Sequence, residues 1–357
     1  MHADPRLVDK LLAGDRCRPR SRPPLPRQFL ADAVGLAERY ARVEKLVLGG
    51  TRVSYSPAGL AVDLSPDGDA AAQGEALAAA ERTRLALPAG PVMELEELIE
   101  GQGIKIIPRL FPSQVYAGAF FFDAALGPCI LVHARASDST MRYSLAHEYA
   151  HFLADYDPYI FTLCGLPTDE VVADPVELRA HHMALEFLMP RGEVEGYRTA
   201  MGLRRADAVS AELVRQLCVY FDLDAEVVFW RLLALEWIDA ATLRGLLEAD
   251  ELLAGELRTV PEAHGLLPER FVRLVAGAFG RGKLDLGAAA EHLGTDVAEA
   301  EGILAQFDYA DTTEADAGSR ERATGAAPRA SRGPAPAEPR PTKANGSARR
   351  RGDREAH

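Results

Sequence analysis

The chain has 357 residues, 48% of them hydrophobic, and a formal net charge of −13. That length fits two or three domains with a real core, and an acidic body is poorly suited to non-specific nucleic-acid binding. No apolar run is long enough to span a membrane, and the Arg-studded N-terminus has no continuous apolar stretch of the secretory kind, so a cytoplasmic protein is expected.

Residues 1–27 read as a basic, proline-rich arm, densest from Arg16 to Arg27. Residues 28–88 read as a small α/β segment. Its first part, 28–43, has a helical pattern. Residues 45–65 alternate in short apolar stretches around Gly49-Gly50 and Pro57-Ala-Gly59, which predicts a hairpin or meander. An Ala-rich helix follows at about 69–86. No helix-turn-helix is legible in this region.

Residues 89–235 carry the chemistry. Pro91 marks a helix start. Ile104–Ile107, Tyr116–Phe122 and Cys129–Val132 are apolar, β-branched or aromatic, and read as strands. A helix at about 140–154 then contains Ser144-Leu-Ala-His147-Glu148-Tyr-Ala-His151-Phe-Leu. Histidines four apart share one helix face, so both imidazoles can reach one tetrahedral metal. Glu148 adjoins the first of them and can act as the base on a water at that metal. A loop with Asp155, Asp157-Pro158 and Gly165-Leu-Pro167 leads to a second helix, Glu177 to Pro190.

Glu177, Ala180, Ala184 and Leu188 share one face of that second helix, and Pro190 stops it. A carboxylate on an otherwise small, apolar face is costly without a partner, and a zinc ion shared with His147 and His151 would supply one. The plainer reading of Glu177 is an acid placed to suit the helix dipole. Cys164 lies between the two motifs, but Glu177 fits the third ligand position better. The four cysteines, at 17, 129, 164 and 218, lack C-x-x-C spacing and read as reduced thiols.

These motifs resemble the ImmA/IrrE family of zinc metallopeptidases, whose His-Glu-x-x-His helix is gluzincin-like. The resemblance runs over about residues 75–235. It rests on Arg142-Tyr-Ser-Leu-Ala-His-Glu-Tyr-Ala-His-Phe-Leu, on Glu177-x-x-Ala180-x-x-x-Ala184-x-x-Phe-Leu-Met-Pro190, on Pro91-Val-x-Glu-Leu-Glu-Glu-Leu-Ile-x-x-x-Gly-Ile-Lys-Ile, and on Cys129-Ile-Leu-Val-His. It implies an α+β, zincin-like domain, a short sheet beside an active-site helix. It also implies zinc on His147, His151 and Glu177, with Glu148 as catalytic base. An extended substrate would pair with the sheet edge. The implied substrate is a transcriptional repressor or similar regulator, cut in a stress, DNA-damage or mobile-element response.

The family usually carries Asn after Ala180, where this chain has His181. His181 lies four residues after Glu177 and can offer a ring nitrogen to His147 or His151, which activity would lose as His181 protonates near its ordinary pKa of about 6.5. Equally, it can fill space or face solvent. His182, Tyr159 and Tyr197 are the candidates for stabilising the negative charge of the transition state.

Helix pairs with helix-turn-helix spacing are expected at 207–237, turning at Phe221–Asp224, and at 268–307, turning at Leu293–Asp296. Residues 236–308 thus read as a helical, helix-turn-helix-like domain. Its last helix carries Asp296, Glu299 and Glu301 and no Lys or Arg, which suits packing or partner binding better than phosphate contact. Residues 309–357 are expected to be a disordered tail. From Asp311 onward ten Lys/Arg stand against seven Asp/Glu, a balance of +3 that leaves −16 on the body. The readings competing with a peptidase are a non-catalytic zinc-binding regulator and a DNA-binding regulator using the helix pairs.

Overall fold

The computed structural model describes residues 3–13, 25–49, 62–113, 116–155, 161–165, 173–204, 208–250 and 265–307. Among them are thirteen helices and one four-stranded sheet, a mixed α+β architecture. All lie within a single unit, Met1–Ala326. No helix in these residues is long and apolar enough to cross a membrane.

The strands are β1 (Lys105–Arg109), β2 (Tyr116–Asp123), β3 (Gly127–His133) and β4 (Phe161–Gly165). Their order in the sheet is β1-β3-β2-β4. β1 runs parallel to β3, while β2 is antiparallel to both β3 and β4. The β2–β3 hairpin is turned by Asp123, whose carboxylate accepts from the amides of Ala125 and Leu126, and by Gly127 at a φ of 78°. β4 is an edge strand.

Side chains of period two divide the sheet into two buried faces. Ile106, Phe120, Ile130 and Val132 join the front core, while Ile107, Phe121, Cys129 and Leu131 join the rear one. A sheet wet on neither side must be covered by helices on both, and that is why its central strands are apolar throughout.

The front layer consists of α3 (Ala70–Arg84), α4 (Leu95–Gly101), α5 (Asp138–Ala154), α6 (Pro175–Leu188), α7 (Arg191–Ala200), α8 (Ala211–Phe221) and α9 (Ala225–Ala234). α5 starts because Ser137 accepts from the Thr140 amide, and the Ser137 hydroxyl also donates to Asp224, the cap of α9. One capping pair therefore fixes two helix starts side by side. α6 starts on Asp174 with Pro175 in its first turn. α3 presses on α6 at Gly74, where an added Cβ would come within 2.3 Å of the Arg179 carbonyl oxygen.

The rear layer joins the two ends of the described chain. It holds α1 (Pro5–Ala13), α2 (Arg27–Leu48), α11 (Glu269–Gly280), α12 (Leu286–Leu293) and α13 (Val297–Leu304). Buried Lys105 of β1 pairs with Glu44 of α2 at 2.7 Å, and Arg270 of α11 reaches the same carboxylate at 2.7 Å. Residues 28–48 and 269–304, which the sequence reading assigns to separate segments, thus share one core with the sheet. A last helix, α10 (Ala240–Ala249), has no buried residue and lies within the stretch 236–308 expected to be helical, though not in either expected helix pair.

Several expectations need correction. α2 continues to Leu48, so the meander expected from 45 does not begin there, and its remaining part at 50–61 lies outside the described residues. Pro91 precedes α4 by four residues instead of opening it; the Arg142 guanidinium donates to the neighbouring Val92 carbonyl and holds that segment as a loop. Phe161–Gly165, expected as loop, is β4, because β2 offers it a partner that its own sequence does not announce. The expected pair at 268–307 is three helices, and the tail from 308 onward lies outside the described residues.

Candidate metal centre

α5 lies on the front of the sheet with His147 and His151 one turn apart on the face toward α6 and β4. Their Nε2 atoms are 3.3 Å from each other. Glu177, in the first turn of α6, places Oε2 at 3.3 Å from His147 Nε2 and Oε1 at 3.6 Å from His151 Nε2. Cys164 of β4 places Sγ at 3.3 Å from His151 Nε2 and 3.7 Å from Glu177 Oε1. One atom from each of these four buried residues lies within 4.8 Å of the others.

The residues fit a metal ion. His151 Nδ1 sits 2.9 Å from Asp155 Oδ2, which leaves Nε2 as the acceptor nitrogen pointing at His147 Nε2 and the carboxylate. Lone pairs and a negative group converging in a dry interior are costly unless a cation lies among them. Two imidazoles, a carboxylate and a thiol are also the donor types that zinc takes.

The electrostatics say the same. Burial depresses His151, but the Asp155 hydrogen bond and the charges of Glu177, Asp155 and Glu148 outweigh it and carry its pKa to about 9. His147 goes the other way: burial lowers it, and Glu177 only partly compensates. The two rings shift in opposite directions, so the cluster suits a cation at one place, either a proton on His151 or a metal ion held by all four residues.

Asp155 closes α5 just past its last residue, and its second oxygen pairs with Arg179 on α6. It is the group that orients His151, and its position four residues after His151 was a signal available in the sequence. Glu148 points instead to the sheet. It is fully buried, with Oε2 at 3.4 Å from Thr162 Oγ1 and Oε1 against Gly118. Burial, only partly offset by His151, pushes its pKa up to about 8. A bound dication would pull it back down.

The other expected residues are placed differently. His181 Nδ1 meets the Tyr143 hydroxyl at 2.7 Å, so its hydrogen-bond partner is Tyr143 and not His147 or His151. Tyr143 stands between them, its ring 5.9 Å from that of His147. Burial, reinforced by His182 and His147, drops the His181 pKa to about 3, well below the value near 6.5 expected from sequence. His182 faces Glu75 of α3 at 3.8 Å, and Tyr197 packs on Tyr220 with ring centroids 4.6 Å apart. Neither belongs to the cluster. Tyr159 lies outside the described residues. Cys164, set aside in the sequence reading, is in the cluster. Its two-residue step from Thr162 aims both side chains the same way, but a five-residue strand is too short to announce itself in the sequence.

Comparison with known proteins bears on this site directly. Residues 99–215 match the family model Peptidase_M78, described as the IrrE N-terminal-like domain. No curated protein matches the chain. The matched segment contains all four strands, α5 and α6, and with them every residue of the metal cluster. Over residues 99–215 this chain matches the IrrE N-terminal-like domain of the Peptidase_M78 kind, in agreement with the ImmA/IrrE resemblance of its motifs.

Proposed function

We propose that the protein is a zinc-dependent endopeptidase of the cytoplasm that cleaves another protein, a repressor or similar regulator of transcription. The observation that carries this reading is the division of labour on α5. His147 and His151 turn to Glu177, whereas Glu148, between them in sequence, turns to the sheet, close to the cluster but not among the four residues whose donor atoms converge.

When bound by His147, His151 and Glu177, zinc supplies a Lewis acid for the scissile carbonyl and makes a water acidic enough to attack it. Glu148 would serve as the base for the attacking water and as the acid for the departing amine. Its burial excludes bulk water, and Thr162 holds one of its oxygens. Asp155 keeps His151 in the tautomer that offers Nε2. Among the described residues β4 pairs with β2 alone, and its other edge suits an extended peptide adding as a further strand. The regulator as substrate is favoured by the ImmA/IrrE likeness. The acidic last helix, with Glu299 in its first turn, gives no support to a direct role on DNA.

The test is metal analysis together with cleavage of repressors co-expressed with the full chain. Glu148→Gln should keep one zinc per chain and abolish cleavage. His147→Ala, His151→Ala and Glu177→Ala should lose both. Undiminished cleavage by Glu148→Gln would refute the reading.

A further inference from the structure

We infer that Cys164 is a fourth protein ligand of the metal, so that the centre is closed at rest and becomes competent only when the thiolate leaves. This rests on the metal reading above and adds a latency to it.

The argument starts from the strand. β4 alternates, with Phe161 and Leu163 in the rear core. Thr162 and Cys164 therefore face the front, where Thr162 meets Glu148 and Cys164 meets His151 and Glu177. The register is set by β2, with Phe120 opposite Thr162 and Gly118 opposite Cys164. Sγ is thus aimed by sheet pairing and not by a free loop, and Cys164 is only 1% exposed.

Distances give the second step. Zinc bonds of about 2.0–2.1 Å to nitrogen or oxygen and about 2.3 Å to sulfur imply tetrahedral edges of roughly 3.3–3.6 Å. The His147–His151, His147–Glu177, His151–Glu177 and His151–Cys164 separations are 3.3, 3.3, 3.6 and 3.3 Å. Cys164–Glu177 is 3.7 Å. With Glu177 Oε1 as the carboxylate vertex, four of the six edges of a tetrahedron are therefore in place, and one donor atom from each of the four residues lies within 4.8 Å of the others.

The chemistry follows. Three protein ligands leave a catalytic zinc one position for water, and a fourth makes the closed set typical of structural sites. Here the closed set stands beside a buried carboxylate that no structural site needs. Cys164 therefore holds the position that the attacking water requires, and Glu148 waits next to it.

Cobalt(II) replacing zinc in the full chain reads this directly. The parent should show the near-ultraviolet thiolate-to-cobalt charge-transfer band, and so should Cys17→Ala, Cys129→Ala and Cys218→Ala. Cys164→Ala should bind one cobalt without that band. Azide should perturb the cobalt spectrum of Cys164→Ala and not that of the parent. X-ray absorption of the zinc form should show one sulfur at about 2.3 Å. A parent that binds metal with no sulfur band, a band that survives in Cys164→Ala, or equal azide binding by both overturns the inference and leaves the metal reading intact. A parent that binds no metal overturns both.

Discussion

Gly118 on β2 and Glu148 on α5 approach so closely that a Cβ at 118 would lie 2.7 Å from Glu148 Oε1 and 3.0 Å from its Cγ. The same Cβ would lie 3.0 Å from the Leu131 carbonyl oxygen, so it cannot swing toward β3 either. Glycine is needed here for space, since the strand backbone is ordinary. Gly118→Ala should push the Glu148 carboxylate off its position and lower peptidase turnover by about 100-fold, the usual cost of misplacing a reacting group by an ångström. Zinc content should not change, since Glu148 is outside the cluster. Zinc analysis beside turnover checks this, and turnover equal to the parent's would show that the carboxylate has room to move.

Asp155 gives the second prediction. It accepts from His151 and pairs with Arg179, so it joins the metal cluster to the α5–α6 contact. Asp155→Asn keeps the shape and loses the charge. Zinc affinity, measured by competition with a chelating dye, should fall by about 10–100-fold. Affinity unchanged within twofold would mean that His151 is oriented by packing alone.

The third concerns acid. His181 resists protonation until about pH 3, whereas an unfolded histidine takes its proton near its ordinary 6.5. Between those values the unfolded chain binds the proton that the fold refuses, so stability present above pH 6.5 drains away as the pH falls. His181→Asn removes this drain while keeping a partner for the Tyr143 hydroxyl. Its acid-unfolding midpoint, followed by near-ultraviolet circular dichroism, should lie at lower pH than the parent's. An unchanged midpoint would assign the acid limb to other groups.

A fourth prediction tests the rear layer. Lys105 is fully buried, donates to the Leu126 carbonyl at 2.6 Å and pairs with Glu44. Lys105→Met removes one of the two cations that pair with Glu44 and should cost about 3 kcal/mol in urea unfolding, the lower end for breaking a buried pair. A loss below about 1 kcal/mol, the scale of an exposed pair, would show that water reaches Glu44 in the folded state.

What the sequence disclosed and withheld follows from the range of the forces involved. His147, His151 and Glu177 were legible because helical periodicity fixes which residues share a face within one or two turns. Asp155 obeyed the same four-residue rule but stood among turn residues, so it read as loop. Cys164 was illegible for a different reason. Five residues are too few to show a strand period, and the direction of Sγ depends on the Gly118 register, which no local pattern encodes. The hydrogen bond of His181 to Tyr143 likewise joins two helices, and only their packing brings the groups together. The contact of α2 with α11 and α12, more than two hundred residues apart, is beyond any local reading.

The rear layer also sets an order for biosynthesis. The strands and α2 leave the ribosome long before α11, α12 and α13, yet Ile107, Phe121 and Leu131 lie in one core with Phe271, Val275 and Leu293. A nascent chain that has already gathered His147, His151 and Glu177 still shows water the apolar face of α2 that α11 and α12 later cover, open to chaperones and to other nascent chains. Chains cut short before Glu269 should accordingly be cleared or precipitate, so the cell accumulates only copies whose last helices have been made.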